Sequence, residues 1–295
     1  MSDQKAPYTP PEGGFRTFIA LWASQTLSVF GSQLTFFAMT VWLTTTLYPD
    51  ADQKGLLAAA LSLVGLAFGL PGILLAPFAG VLADRKDRKK MMLWTDIAAG
   101  LVSSALAIVL WLGALQLWSL VIAIVLFAVL QCFHDSAFDA SYAMIVPEAQ
   151  LPRANGMMQT IFGLSGILSP ALAAALIALP ALFRKSPEPG YIARLIAGIP
   201  DGSVLAVAAN TLTFFIAAAV LPFLRIPSPR RTTASEKHSL WGDVREGMAF
   251  IGARRGLLWL LATFALFNFC SSPAGILRPM IVRDSLAVDY VKRGL

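Results

Sequence analysis

The chain has 295 residues, of which 57% are hydrophobic and only 14% charged, with a formal net charge of +6 and a mean hydropathy of +0.68. A soluble globular domain carries about 25% charged residues, so that class is excluded. The apolar residues fall in blocks long enough for a hydrocarbon core about 30 Å thick, which takes roughly 20 helical residues, and the expectation is an all-α polytopic membrane protein.

Residues 1–14 are polar and proline-rich, without the order of a cleavable leader, and read as a cytosolic tail. No charge occurs between Arg16 and Asp50, which predicts a long first span that overreaches the hydrocarbon and tilts. Asp50, Asp52 and Lys54 form an outer loop before a second span over 55–83. Small residues recur in this span at Gly65, Gly69, Gly72, Ala76 and Gly80, a stripe that predicts close helix packing, with kinks at Pro71 and Pro77. Five of the six residues at 85–90 are cationic and return the chain to the cytosol, and a third span begins near Met91.

Residues 97–133 lack charge, and a single helix of that length would extend about 55 Å, so the chain must fold back. The turn is expected at 112–116, between Trp111 and Trp118 at interfacial depth. A fourth span descends to Pro147, 147–153 turn in the cytosol, and a fifth span covers 154–182. An outer loop at 183–202, with Pro187, Pro189, Gly190 and Pro200, leads to a sixth span at 203–224. The spans at 15–224 thus form one six-helix unit.

The linker at 225–255 carries seven Lys and Arg, and within it Trp241, Val244, Met248 and Ile251 recur at helical spacing, as in an amphipathic surface helix. A seventh span at 256–281 and a short tail at 282–295 follow. In this topology about 15 of the 23 Lys and Arg lie on one side and about 8 on the other. That bias places the basic side in the cytosol, so the positive charge orients the chain in a lipid bilayer and no nucleic-acid partner is expected. Cys132 and Cys270 lie in apolar blocks far apart, which suggests packing rather than a disulfide or a metal site.

The hinge between the second and third spans carries the most specific pattern. Gly80 and Asp84 are four apart and share a helix face, and the cationic run follows. It resembles the signature loop of the major facilitator superfamily, G-x-x-x-D-R/K-x-G-R-R/K, matched by Gly80, Asp84, Arg85, Arg88 and Lys89, while Asp87 stands where the pattern has Gly. Residues 138–147, then Leu151, Arg153, Asn155 and Gln159, with Asp96, are similar to the macrolide-efflux and siderophore-exporter branch. Gly163, Gly166 and Pro170 resemble the fifth-helix antiporter motif, with Ser169 replacing the Gly before the proline.

The resemblance implies two six-helix halves, each of three-helix repeats, around a cavity near the midplane. The chain would then hold the first half and one helix of the second. It would be a truncated gene, a fragment, or part of a split transporter whose second half is encoded separately. The implied activity is secondary active export of small amphipathic compounds across the cell membrane, coupled to a proton gradient and working by alternating access. In that reading Gly80 admits a helix of the second half, Asp84 accepts hydrogen bonds from its N-terminal amides, and Arg88 bridges Asp84 to Asp139 as a latch. Taken alone, the charge run reads as a topology signal.

Ionisable side chains within a membrane are default functional candidates. His134 and Asp135, more than a turn deeper than Asp139, are the candidates for a coupling proton, against the alternative that they only stabilise helix contacts in a wet vestibule. Gln25 and Gln33 are cavity candidates, Asn210 and Asn268 packing amides, and Gly163, Gly166 and Pro170 would shape the fifth helix by close approach and a bend. No nucleotide loop, zinc spacing or nucleophile elbow occurs in the sequence, so neither an enzyme activity nor a cofactor is expected. The competing readings are a non-transporting membrane remnant or subunit, and a homodimer of half-transporters. The odd seventh span opposes the homodimer, because it puts the two ends on opposite sides.

Overall fold

The computed structural model describes residues 13–186, 190–227 and 240–271. Most of the N-terminal tail, the linker segment 228–239, the end of the seventh span at 272–281 and the tail at 282–295 lie outside the described residues. The described regular structure is helical. It comprises α1 (Gly14–Trp42), α2 (Lys54–Arg85), α3 (Arg88–Trp111), α4 (Leu117–Ile145), α5 (Leu151–Arg184), α6 (Tyr191–Ala197), α7 (Ser203–Val220), α8 (Leu240–Gly252) and α9 (Arg255–Ser271). Among the described residues α1 to α5 and α7 are long and apolar enough to cross a membrane, and the chain is a multi-pass membrane protein.

The boundaries have local causes. At the end of α1 the helix widens into a π-helical turn, Leu43–Leu47. There the Thr44 and Thr45 hydroxyls both donate back to the Val41 carbonyl, at 2.8 Å each, which disturbs the backbone ladder, and Pro49 follows. Asp87 sits in extended backbone and accepts from the Lys90 amide at 3.1 Å, so it is the N-cap of α3. The hinge therefore turns without the glycine of the superfamily pattern. The turn between α3 and α4 occupies residues 112–116, as expected. Gly113 there takes the left-handed conformation at φ 66° and donates to the Leu110 carbonyl, while Gln116 and Ser119 form a capping box on α4. Helices α2 and α5 run unbroken through their internal prolines, Pro71 and Pro77 in α2 and Pro170 and Pro180 in α5.

Helix α6 interrupts the expected outer loop. It is fastened by Arg184, whose Nε donates to the Ala197 carbonyl at 2.8 Å and whose Nη2 donates to Ile199 O. Beyond the six-helix unit, α8 lies against α2, with Trp241 stacked on Phe78 at 5.6 Å between ring centroids. The chain then bends by 99° into α9.

Helix α1 packs on α5 and α7, α4 on α2 and α3, and α3 on α7. Exchanging α1 with α4, α2 with α5 and α3 with α7 maps this set of contacts onto itself. Because three connections separate the exchanged helices, they run in opposite directions, which is the arrangement of two inverted three-helix repeats. Two buried clusters hold the unit together. Phe18, Leu21, Met92, Phe138, Ile145 and Leu221 fill the end that carries the 85–90 hinge, here termed the hinge end. Trp42, Leu57, Leu106, Leu120 and Val207 belong to the cluster at the opposite end.

The small-residue stripe of α2 behaves otherwise than its spacing suggests. A Cβ placed on Gly69, Gly72 or Gly80 would meet nothing within 4 Å among the described residues, and the same holds for Gly163 and Gly166 on α5. Among the described residues no helix closes on these positions, so the close approach expected at Gly163 and Gly166 stands open on the same terms as that at Gly80.

Candidate functional site

The hinge closes around Arg88. Set in the first turn of α3, its side chain folds back under the end of α2 and is only 7% exposed. Its Nε donates to the Ala83 carbonyl at 2.9 Å, one of the carbonyls that the end of α2 leaves without a helical partner. Nη1 reaches α4, donating to the Ala140 carbonyl at 3.0 Å and lying 2.6 Å from Met144 Sδ, while Nη2 meets Asp84 Oδ1 at 3.2 Å. One guanidinium thus ties α2, α3 and α4 together at the hinge end.

The expected bridge from Arg88 to Asp139 is not formed. Nη1 is taken up by the backbone oxygen of the next residue, Ala140, and Asp139 is exposed. The Asp84 side chain is 75% exposed, so its ion pair with Arg88 adds little by itself, and the buried carbonyl contacts dominate. Gly80, one turn earlier on the same face, has open space above it. An exposed carboxylate and an uncovered glycine together make a surface on which another helix can settle closely.

Lys89 extends the clasp to the last crossing helix. Its Nζ donates to the carbonyls of Pro222, at 2.7 Å, and Leu224, at 3.0 Å, just beyond α7. Lys89→Ala should therefore lower stability by about 1 kcal/mol, the scale of a partly exposed charge-assisted contact, and increase proteolytic cleavage after Leu224. Limited proteolysis in detergent reads both the site and the rate. Arg85, the remaining signature cation, is half-buried.

The two interior candidates on α4 point apart, as consecutive helical residues must. His134 is buried and faces α3, with Nδ1 3.2 Å from Asp96 Oδ1 and 3.2 Å from Thr95 Oγ1. Asp135 is exposed and takes Gln131 Nε2 on Oδ1 at 2.6 Å. Asp96 was legible as a lone acid in an apolar span, a position that flags function; its facing helix was not. It is 3% exposed, and its Oδ2 is buried without a hydrogen-bond partner among the described residues.

Gln25 is buried on α1, its Nε2 also without a partner among the described residues, and Gln33 is half-buried two turns further on. Neither joins the His134–Asp96 pair through a hydrogen bond. Asn210 is 1% exposed and sits against Gly31 of α1, while Asn268 is exposed and donates to its own helix at the Phe264 carbonyl. Pro170 is half-buried in the unbroken α5. No group of three or more metal-ligating side chains occurs among the described residues.

Comparison with known proteins agrees with this architecture. Macrolide efflux protein A of Streptococcus pyogenes is 29% identical over 267 residues, covering 90% of this chain and 59% of that protein. Macrolide efflux protein A of Enterococcus faecalis is 30% identical over 227 residues, covering 77% and 64%. The uncharacterized MFS-type transporter YfiS of Bacillus subtilis is 29% identical over 256 residues, covering 85% and 53%. The chain thus spans somewhat more than half the length of the curated relatives it matches. No solved structure matches it. With six apolar crossing helices, an inverted-repeat contact pattern, the signature hinge and a family match over residues 21–292, the chain belongs to the Major Facilitator Superfamily.

Proposed function

We propose that the chain forms the first half, and the opening helix of the second, of a proton-coupled exporter of macrolides or similar small amphipathic compounds. It works by alternating access in the cell membrane, with the N-terminus and the hinge end in the cytosol. The observation that carries this reading is the Arg88 clasp. It makes the hinge ends of α2, α3 and α4 one rigid unit while leaving Gly80 and Asp84 uncovered beside it. A second half that docks on this face closes the cytosolic side, and its departure opens that side, with no chemical step on the substrate. Gln25 and Gln33 offer amides to the substrate cavity. The coupling proton belongs to the group around His134, with exposed Asp135 and Asp139 exchanging it with water. The names of the macrolide-efflux relatives support export, and the basic bias of the hinge end supports its placement in the cytosol.

The uncovered hinge face also favours a second reading, in which the 295 residues act only as a subunit of a split transporter or persist as a non-transporting remnant. Macrolide accumulation in energised cells separates the two. Expression of the chain together with a second half should lower accumulation, and the chain alone should not. Unchanged accumulation with both halves present would overturn the export reading.

A further inference from the structure

We propose that α8 is an interfacial helix whose uncovered apolar face, built on Trp241 and Met248, rests in the hinge-side leaflet. Its partner there is phospholipid, at the boundary between head groups and acyl chains. This placement does not depend on the export reading. It gives a role to an amphipathic segment that the transport cycle leaves unused.

The direction of α8 follows from its junction with α9. Residues 256–277 carry no charge, a stretch longer than the roughly 20 residues a crossing helix takes, so α9 opens a membrane-crossing segment. Helix α8 meets it at 99°. A helix at nearly a right angle to a crossing helix lies along the plane of the bilayer.

The depth follows from α2. Its 32 residues extend about 48 Å at 1.5 Å per residue, against a hydrocarbon core of about 30 Å. Centred on that core, α2 reaches about 9 Å beyond it at each end. Phe78 lies about 10 Å in from Arg85 at the hinge end, which puts it at the edge of the hydrocarbon. Trp241 stacks on Phe78 with ring centroids 5.6 Å apart, so α8 takes the same level. Trp94 marks that level independently. It lies about 9 Å from Arg88 along α3 and is 65% exposed, at the depth where tryptophan collects in membrane proteins.

The side chains of α8 sort as this placement requires. Trp241, Val244, Met248 and Ile251 share one face. Val244 and Ile251 are half-buried, while Trp241 and Met248 remain 67% and 58% exposed. Arg245 lies at the flank of that face and Glu246 opposite it, both exposed. Phe250 also falls on the polar side, and there the Arg254 guanidinium sits 3.3 Å from its ring centroid and donates to its carbonyl at 3.2 Å. The open apolar face is thus continuous, through Phe78, with the membrane-crossing surface of α2, and an arginine shields the aromatic ring turned the other way. From the flank, Arg245 can extend its guanidinium to a lipid phosphate. The link from the six-helix unit into α9 then runs within the leaflet.

The test is a depth measurement on the intact chain in phospholipid nanodiscs. Spin labels are placed at Met248→Cys and, separately, at Glu246→Cys, in a Cys132→Ser, Cys270→Ser background. Collisions with oxygen, which concentrates among acyl chains, and with a water-soluble nickel chelate should place the Met248 label about 5–10 Å below the head groups and the Glu246 label in water. A Met248 label as accessible to nickel as the Glu246 label overturns the placement, because α8 then stands in water. A Met248 label shielded from both reagents overturns it in favour of a protein partner, a second copy of this chain or another of its segments. If the cysteine-free background does not fold, the unmodified chain and Trp241→Phe decide. The fluorescence by which the two differ should be quenched more by lipids brominated near the head group than by lipids brominated near the chain ends. Equal or absent quenching overturns the placement.

Discussion

Arg88→Ala should loosen the hinge end more than any other single change in the signature loop. The substitution removes donors from the Ala83 and Ala140 carbonyls and from Asp84 at once, in a site where the arginine is 7% exposed. Hydrogen bonds to charged groups contribute about 1.5–3 kcal/mol each when buried. Water can reach Asp84 but not the two carbonyls as readily, so a loss of about 2–4 kcal/mol is expected. Arg88→Lys should recover less than half of it, because a single ammonium cannot span three acceptors held by three helices. Reversible unfolding in mixed micelles measures the difference, and transport should fall with it, since α4 would no longer move with α2 and α3. Equal stability of the Ala and Lys variants with the parent would mean that the clasp is incidental.

Gly31→Leu is expected to have a comparable effect for the opposite reason, too much volume rather than too few bonds. A Cβ on Gly31 would run into Thr213 Oγ1, come within 2.6 Å of Asn210 Oδ1 and within 3.0 Å of the Asn210 Cα. The side-chain atoms can rotate away, but the backbone of α7 cannot, so even Ala forces α1 and α7 apart. Overpacking of this kind costs about 1–3 kcal/mol, with Leu at or above the top of that range and Ala at its lower end. Gly80→Ala provides the contrast. Nothing lies within 4 Å of a Cβ there, so the stability of the chain should not change, while docking of a second half, and hence transport, should be impaired. If Gly80→Ala lowers the chain's own stability as much as Gly31→Ala does, the hinge face is not free.

Much of this architecture was legible as gaps between charges. The fold-back at 112–116 followed from the absence of charge over 97–133, and the cationic run at 85–90 marked the junction of α2 and α3. The π-helical turn at Leu43–Leu47 was not visible, because it arises from hydroxyls competing for backbone carbonyls rather than from a change in hydropathy. Nor was α6, which lies in a proline-rich stretch and is pinned by Arg184.

The sequence does not show partners that are backbone atoms or that lie on another helix. Sequence offers Asp139 as an acid for Arg88, but the guanidinium takes the Ala140 carbonyl, an acceptor that every residue carries and no motif records. His134 and Asp135 are adjacent in the chain and therefore diverge, whereas Asp96, 38 positions earlier, meets His134 across the α3–α4 contact. Spacing on one helix predicts which residues share a face. It does not identify the helix opposite.

The most direct test of the proposed export function is a transport assay in sealed inside-out vesicles containing the chain together with a second half and a labelled macrolide. With the lumen acidified, macrolide should accumulate inside and stop doing so when a protonophore collapses the gradient. Uptake that is the same with and without the gradient, or absent in both, would contradict a proton-coupled exporter.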